Sequence, residues 1–257
     1  MPVKRRLSGL AVIFSLLLSS VFITPLSAQV GGPEIIISGK DTAFNTDQAG
    51  DPPLKEYSSS PPIMIAVEVD NGAVVAAGTA GSVRDGNWNN PDNPYPYLDK
   101  LLDAAFKWMV PGATKVLWYE GYGVYSVVSR SNAILNSLKG KGYGFGTDNR
   151  AFGDIENLTE YDILVIPQMQ LGAPGTGGNP SLLPDADVQA IVSFVRGGGG
   201  LLIMDQADYN GYNFSKVHNK ILEALGLDIR FQDDQVQDSI NKWGGQIYQP
   251  IVEVKTT

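Results

Sequence analysis

The sequence has no cysteine and only one histidine, His218. Without thiols the chain cannot form disulfides, bind zinc through thiolates or use a cysteine nucleophile. Serine hydrolysis of the nucleophile-elbow type is not supported either, because the motif Gly-x-Ser-x-Gly does not occur. The fold must therefore be stabilised by its core and by ion pairs.

Positive charge is also scarce, with 19 Lys and Arg against 27 Asp and Glu and a net charge of −8. Three of the cations, Lys4, Arg5 and Arg6, precede an apolar run and then a region of small residues that ends at Ala28. This order predicts a secretory signal peptide over residues 1–28. An uncleaved N-terminal anchor is the alternative, since the apolar run approaches the roughly 18 residues that can span a bilayer.

Cleavage of the signal removes three positive charges and takes the net charge from −8 to −11. A surface this acidic repels phosphate backbones, so nucleic acid is not an expected partner, and anionic lipid is disfavoured as well. After cleavage we expect no stable membrane insertion and a secreted or cell-surface location.

The middle of the chain alternates between strand-like and helix-like apolar patterns. Two apolar runs that flank Asn71-Gly72 predict an N-terminal β-hairpin. The predicted strands that follow are residues 115–119, 142–146, 161–167, 201–204, 227–231 and 246–254, and the predicted helices are residues 97–109, 129–139, 184–196 and 214–225. This alternation predicts an α/β fold with a doubly wound, mostly parallel sheet and helices on both faces (flavodoxin-like).

These patterns divide the chain into four predicted parts. After the signal comes a loop-rich extension at residues 29–61, then the α/β domain at residues 62–235, and then a C-terminal strand segment at residues 236–257. The last segment is compatible with the start of a longer, truncated region. Four glycines at residues 197–200 follow a helix and open a strand. A phosphate-binding loop has the reverse order, so these glycines predict a turn.

One order of segments is distinctive: YDILVIP at residues 161–167, a glycine-rich loop, a helix, and GGGLLIM at residues 198–204. It resembles the class I glutamine amidotransferase-like superfamily, and most closely its non-amidotransferase branches, such as the ThuA-like and intraflagellar-transport-like domains. The resemblance covers residues 62–235. Amidotransferases place a nucleophilic cysteine in the turn after the strand that matches residues 201–204, where this chain has Asp205. The resemblance therefore implies the fold but not amidotransferase activity.

Polar side chains follow the predicted parallel strands at their carboxyl ends, where ligands bind in open α/β sheets. Asp205, Asp208, Glu120 and His218 are the candidate catalytic groups, as an acid–base pair or as ligands of a divalent cation. No cofactor is required by the sequence. The candidate ligand-binding residues are Tyr119, Glu120, Tyr122, Gln168, Gln170, Asp205, Gln206, Asp208 and Tyr209.

Each candidate also has a structural interpretation. Asp205 can cap the turn that follows it, Glu120 can be a solvated side chain, and His218 can be a helix residue with satisfied ring nitrogens. The aromatic loop residues can pack rather than bind.

Three functional hypotheses follow. The first is a non-catalytic, secreted or cell-surface domain that binds a glycan or a protein partner, because the nucleophile position is lost and aromatic residues populate the loops. The second is a metal-assisted extracellular hydrolase that uses the strand-end carboxylates. The third is a structural module of an envelope protein. The sequence specifies neither the ligand nor the oligomeric state.

Overall fold

The computed structural model describes residues 21–23, 32–47, 54–88, 97–171, 179–207 and 214–255. The strands in these residues are β1 (Val21–Ile23), β2 (Glu34–Gly39), β3 (Phe44–Thr46), β4 (Pro62–Val69), β5 (Gly72–Ala77), β6 (Lys115–Tyr119), β7 (Gly144–Asp148), β8 (Ile163–Ile166), β9 (Gly200–Met204), β10 (Ile229–Phe231), β11 (Gln235–Gln237) and β12 (Val252–Val254). The helices are α1 (Asp85–Trp88), α2 (Leu98–Met109), α3 (Asn132–Lys139), α4 (Asp185–Arg196) and α5 (Ser215–Ala224). None of the helices in the described ranges is long and apolar enough to cross a membrane.

Eight strands form one sheet in the order β12-β2-β4-β5-β9-β8-β6-β7. The five strands from β5 to β7 in this order are parallel, and the three on the other side pair antiparallel. The α/β class and the mostly parallel, doubly wound sheet are therefore as predicted. Strand β9 lies between β5 and β8, so the glycine-led strand is central.

Side chains of the sheet alternate between two cores. In β8, Ile163 and Val165 pack with α2 and α3 on one face, whereas Leu164 and Ile166 pack with α4 and α5 on the other. Strands buried on both faces read as unbroken apolar runs, which is why they could be located in the sequence. The helices present one apolar stripe each, as in α4, where Val188, Ile191, Val192 and Val195 are buried.

The predicted hairpin is present, but its turn differs from the one that Asn-Gly suggested. β4 and β5 pair antiparallel and join through Asp70 and Asn71. Asp70 has the positive φ of 49°, and Gly72 is already the first residue of β5. The hairpin is also part of the main sheet, because β5 pairs with β4 on one edge and with the central strand β9 on the other.

Several predicted elements are shorter or placed differently in the structure. The predicted strand at residues 246–254 is a strand only over β12, and it pairs with β2 at the edge of the main sheet. The predicted strand at residues 227–231 shortens to β10, which lies outside the main sheet and pairs with β1. A second small pair, β3 with β11, has no clear signal in the sequence. The glycine turn before β9 is present, with Gly198 at φ 113°.

A buried carboxylate lies beside the β3–β11 pair. The side chain of Asp234 has no exposed surface, and its Oδ2 accepts a hydrogen bond from the Asn45 amide. Burial, reinforced by the nearby charges of Asp233, Asp47 and Glu56, raises the pKa of Asp234 to about 7. This carboxyl group therefore takes up a proton in the folded protein at a pH where the unfolded chain has lost it.

We expect the Asp234→Asn variant to be more stable than the wild type at pH 8, with the difference shrinking towards pH 4. The pKa of Asp234 rises from an ordinary 3.8 to about 7 on folding. Between these values the folded state binds more protons, so the wild-type free energy of unfolding falls as pH rises. Urea denaturation at several pH values measures this. Asp70→Asn, which removes the same charge at an exposed turn, is the control. If the free energy of unfolding depended on pH in the same way in all three proteins, the raised pKa of Asp234 would be contradicted.

Candidate functional site

The carboxyl ends of β5, β6, β8 and β9 meet at one edge of the sheet, as parallel pairing requires. The structure brings three of the predicted residues together there: Asp205 after β9, Gln168 after β8, and His218 from α5. All three are buried, with Gln168 4% exposed and the other two 0%. We call this group the buried polar hub.

Asp205 is the centre of the hub. Its Oδ1 accepts hydrogen bonds from Gln168 Nε2 at 2.8 Å and from the backbone N–H of Gln206 at 2.9 Å. Gln168 Nε2 also donates to the carbonyl of Gln206 at 2.9 Å. The backbone of Asp205 bonds on both sides to the segment after β5, from its N–H to Ala77 and from its carbonyl to the N–H of Ala80. The hub therefore ties together the ends of three strands.

His218 adds a buried ring to the hub, and of its two nitrogens only Nε2 has a hydrogen-bond partner among the described residues. Nε2 accepts a hydrogen bond from the backbone N–H of Met169 at 3.1 Å, so the neutral ring carries its proton on Nδ1. Nδ1 faces Asp205 Oδ2 at 3.5 Å. A general base or metal ligand needs a nitrogen lone pair that a substrate or ion can reach. The Nε2 lone pair here is occupied and buried, so His218 does not offer that nitrogen to a substrate or an ion.

Tyr119, the last residue of β6, and Tyr122, in the loop after it, both make packing contacts. The side chain of Tyr119 is fully buried, stacks on Phe152 with ring centroids 3.8 Å apart, and donates from its hydroxyl to the carbonyl of Arg150 at 2.9 Å. Tyr122 donates from its hydroxyl to Asp187. Burial raises the pKa of both phenols far above the ordinary value, so both stay protonated donors.

Glu120 bonds to a neighbouring turn rather than to the hub. Its Oε1 accepts a hydrogen bond from the backbone N–H of Val128 at 2.7 Å, which fixes the short 3-10 turn Val128–Arg130. Within the described part of the chain it shares no hydrogen-bond partner with Asp205 or His218. The described residues also contain no group of three or more Asp, Glu, His or Cys side chains placed to hold a metal ion. Asp208 and Tyr209 lie outside the described residues.

The crevice between β6 and β8 is bridged by backbone. Chain connections leave these two strands in opposite directions, which makes this the switch point where open α/β sheets bind ligands. Here Tyr125 N–H donates to the carbonyl of Gln168 at 2.8 Å, and Gln170 N–H donates to the carbonyl of Tyr122 at 3.2 Å. Tyr122 adopts a positive φ of 54° to allow this. Of the predicted residues nearby, Gln170 is exposed.

Partly exposed groups gather beside this bridge, around Gly81. The Arg84 guanidinium lies over the Tyr125 ring at 4.4 Å from its centroid. A side chain at Gly81 would meet the amide oxygen of Gln206 at 2.7 Å and the Tyr125 ring at 3.7 Å, so both contact the same glycine. We call Arg84, Tyr125 and Gln206 the loop-edge cluster; each is partly exposed.

Sequence reasoning identified only part of this cluster. Gln206 was a predicted ligand-binding residue, whereas Arg84 was not. The one sequence feature that could have pointed to Arg84 is its loop. Residues 79–86 form a glycine-containing loop at the end of a strand, where functional loops are often found. The contact between Arg84 and Tyr125 joins loops 41 residues apart in the chain, so spacing alone could not show it.

The chain matches no family model and no curated protein. Among solved structures it is similar to IMPa of Pseudomonas aeruginosa in complex with an O-glycopeptide, with 14% identity, a TM-score of 0.45, and coverage of 95% of this chain and 21% of that chain. The IMPa metallopeptidase in complex with T-antigen gives 14% identity and a TM-score of 0.43 over 93% of this chain and 22% of that chain. The chain thus spans about a fifth of the length of these proteins. A likeness this weak carries no argument about activity.

Proposed function

We propose that this protein is a secreted or cell-surface, non-catalytic α/β domain that binds a glycan or a protein partner through the loop-edge cluster. The observation that carries the proposal is the contrast at the carboxyl edge of the sheet. The groups suited to catalysis, Asp205 and His218, are fully buried, whereas Arg84, Tyr125 and Gln206 are partly exposed.

The cluster has the chemistry of a recognition surface. A tyrosine ring offers an apolar face for stacking on a sugar ring or a partner side chain, and a tyrosine hydroxyl can donate and accept a hydrogen bond. The stacked guanidinium holds several fixed donors, and the Gln206 amide adds a donor and an acceptor. Tyrosine and arginine are also the residues that dominate binding energy at protein interfaces.

The metal-assisted hydrolase is the alternative function. It needs carboxylates that both a metal ion and water can reach, and Asp205 does not provide one because its side chain is buried. Its remaining candidates are Glu120, which holds a turn, and Asp208. A third function, as a structural module of an envelope protein, would be distinguished by mass spectrometry of the N- and C-termini of the secreted protein.

We also infer kinship with the non-amidotransferase branches of the class I glutamine amidotransferase-like superfamily. The order of β8, α4, the glycine turn and β9 supports it, as does the position of Asp205 directly after β9. If this kinship holds, Asp205 occupies the position of the amidotransferase nucleophile but has a structural role, and the binding surface is the loop-edge cluster beside it.

We expect Tyr125→Ala to weaken partner binding by about tenfold or more, because the variant loses the ring on which Arg84 stacks; loss of one interface anchor typically costs about 1–2 kcal/mol or more. Tyr125→Phe keeps the ring and should bind within about threefold of the wild type. Binding is measured on an array of neutral and acidic oligosaccharides and by pull-down from extracellular protein.

Arg196→Ala is the matched control for Arg84→Ala. Arg196 is 49% exposed at the opposite edge of the sheet, in a surface ion pair with Asp70. We expect Arg84→Ala to lose binding and Arg196→Ala to retain it. The binding proposal would be contradicted if the wild type bound nothing in either assay. If the wild type also hydrolysed an extracellular polymer, and Asp208→Ala abolished that hydrolysis, the metal-assisted hydrolase would be the better function.

A further inference from the structure

The loops that follow β5 and β6, residues 79–86 and 120–131, lie side by side at the carboxyl edge of the sheet. Ser126 Oγ, in the second loop, donates a hydrogen bond to the carbonyl of Ala80 in the first at 2.6 Å. Both of these residues are fully buried, so water does not compete for the bond. The exposed side chains of the two loops therefore belong to one surface.

This surface is polar. The fully exposed residues of the two loops are Gly86, Gly123, Ser129 and Arg130. The large apolar side chains that are exposed elsewhere in the described ranges include none from either loop. Interfaces between proteins have an apolar core, whereas a sugar is recognised largely through hydroxyl and charged groups. The composition of the surface thus favours a glycan over a protein partner.

The Arg84 guanidinium is kept apart from carboxylates. Among the residues that the structure describes, its side chain has no ion pair and no hydrogen bond, and its one polar interaction is with the Tyr125 ring, 4.4 Å away. The carboxylates of the two loops accept from backbone N–H groups instead, Asp85 from α3 and Glu120 from the turn that follows it. In a chain with 27 acidic and 19 basic side chains, Arg84 is thus left to pair with an anion from outside.

Stacking on Tyr125 decides which part of Arg84 meets a ligand. One face of the guanidinium is against the ring, so its N–H donors project from the rim, in the planar fork that matches the two oxygens of a carboxylate. Arg130 offers a second guanidinium from the neighbouring loop, and its side chain also has no ion pair within the described ranges. The Gln206 amide adds a donor and an acceptor for hydroxyl groups.

We propose that the loop-edge cluster, together with Arg130, binds an acidic polysaccharide built from hexuronic acids. The carboxylate of one sugar pairs with Arg84, that of another sugar pairs with Arg130, and the Gln206 amide bonds to sugar hydroxyls. This inference rests on the proposed function, because it names the ligand class of the same surface. A neutral glycan leaves both guanidinium groups without an anion and binds more weakly.

The test titrates a tetramer of galacturonic acid into the protein by isothermal titration calorimetry. We expect saturable binding that is at least about tenfold weaker for the methyl-esterified tetramer, which keeps the sugar rings but loses the charge. Arg84→Gln should weaken binding of the acid by a similar factor and leave binding of the ester unchanged. Arg84→Lys, which keeps the charge but not the planar fork, should lie between Arg84→Gln and the wild type.

Arg196→Gln is the control, because Arg196 is 49% exposed and already pairs with Asp70 at the opposite edge of the sheet. It should bind the tetramer as the wild type does. Thermal unfolding of each variant, followed by circular dichroism, checks that the fold is retained.

The outcomes that contradict the inference differ from those that contradict the proposed function. Equal affinities for the acid and the ester, or equal affinities of Arg84→Gln and the wild type for the acid, would exclude carboxylate recognition while glycan binding stands. If the wild type bound no glycan but bound a protein in a manner that Tyr125→Ala abolished, the acidic polysaccharide would be excluded and the cluster would remain a binding surface. Binding of neither would exclude both.

Discussion

Replacing Asp205 with alanine is expected to lower the free energy of unfolding by about 2–4 kcal/mol, because it leaves buried donors without acceptors. The substitution removes the acceptor of the Gln168 amide and of the Gln206 N–H, and it leaves His218 Nδ1 facing a void. Buried donors without acceptors are costly because water cannot replace the lost partner. Urea denaturation, followed by tryptophan fluorescence and by circular dichroism, measures the change.

Two variants make this result interpretable. Asp205→Asn keeps one oxygen for Gln168 but turns an amide donor towards the His218 N–H, so we expect an intermediate loss. Asp185→Ala removes a carboxylate that is 89% exposed, and we expect little change in stability. If Asp205→Ala were as stable as the wild type, Asp205 would not be a structural hub, and a functional role would again be the better interpretation, since active-site residues are often held at the expense of stability.

Replacing Gly72 with alanine is expected to destabilise the fold by at least about 3 kcal/mol, at the upper end of what overpacking usually costs. A Cβ atom at this position would lie 2.0 Å from the carbonyl oxygen of Val195 and 2.5 Å from that of Gly199. Both obstacles are backbone atoms at the end of α4 and before β9, so no side-chain rotation relieves the clash. Relief would require a shift of α4 away from the start of β5.

Gly86→Ala is the matched control. Gly86 lies in the short helix α1 and has open space where a Cβ would be added. Alanine is the better helix former, so this variant should be as stable as the wild type or slightly more stable. Near-equal stabilities of the two alanine variants would show that α4 can move freely against the hairpin.

Gly72 illustrates how a correct prediction can rest on the wrong reason. The Asn-Gly pair predicted a hairpin, and a hairpin is present. The positive φ falls on Asp70, however, and the glycine is needed where α4 ends against the sheet. Hairpin statistics describe the turn alone, whereas this contact joins residues more than a hundred positions apart.

The candidate site shows a similar division. The sequence predicted Asp205 and Gln168 at strand ends, and the structure places both at one end of the sheet, because the carboxyl ends of parallel strands meet there. His218 reaches them from α5. Whether such groups are exposed or buried depends on which loops cover them. The bonds from Ala80 and Gln206 to the hub, and the bridge between Tyr122 and Gln170, are made by loops that carry no periodic signal.

The sequence by itself determined the layered α/β architecture, the central position of the strand after the glycine turn, and the exclusion of thiol chemistry. These follow from composition and from apolar periodicity, which are local properties. Only the tertiary structure decided that Asp205 and His218 are buried together and that the Arg84 guanidinium lies over the partly exposed ring of Tyr125. Burial and electrostatic environment are properties of the packed chain, because they depend on neighbours that folding brings together from distant positions.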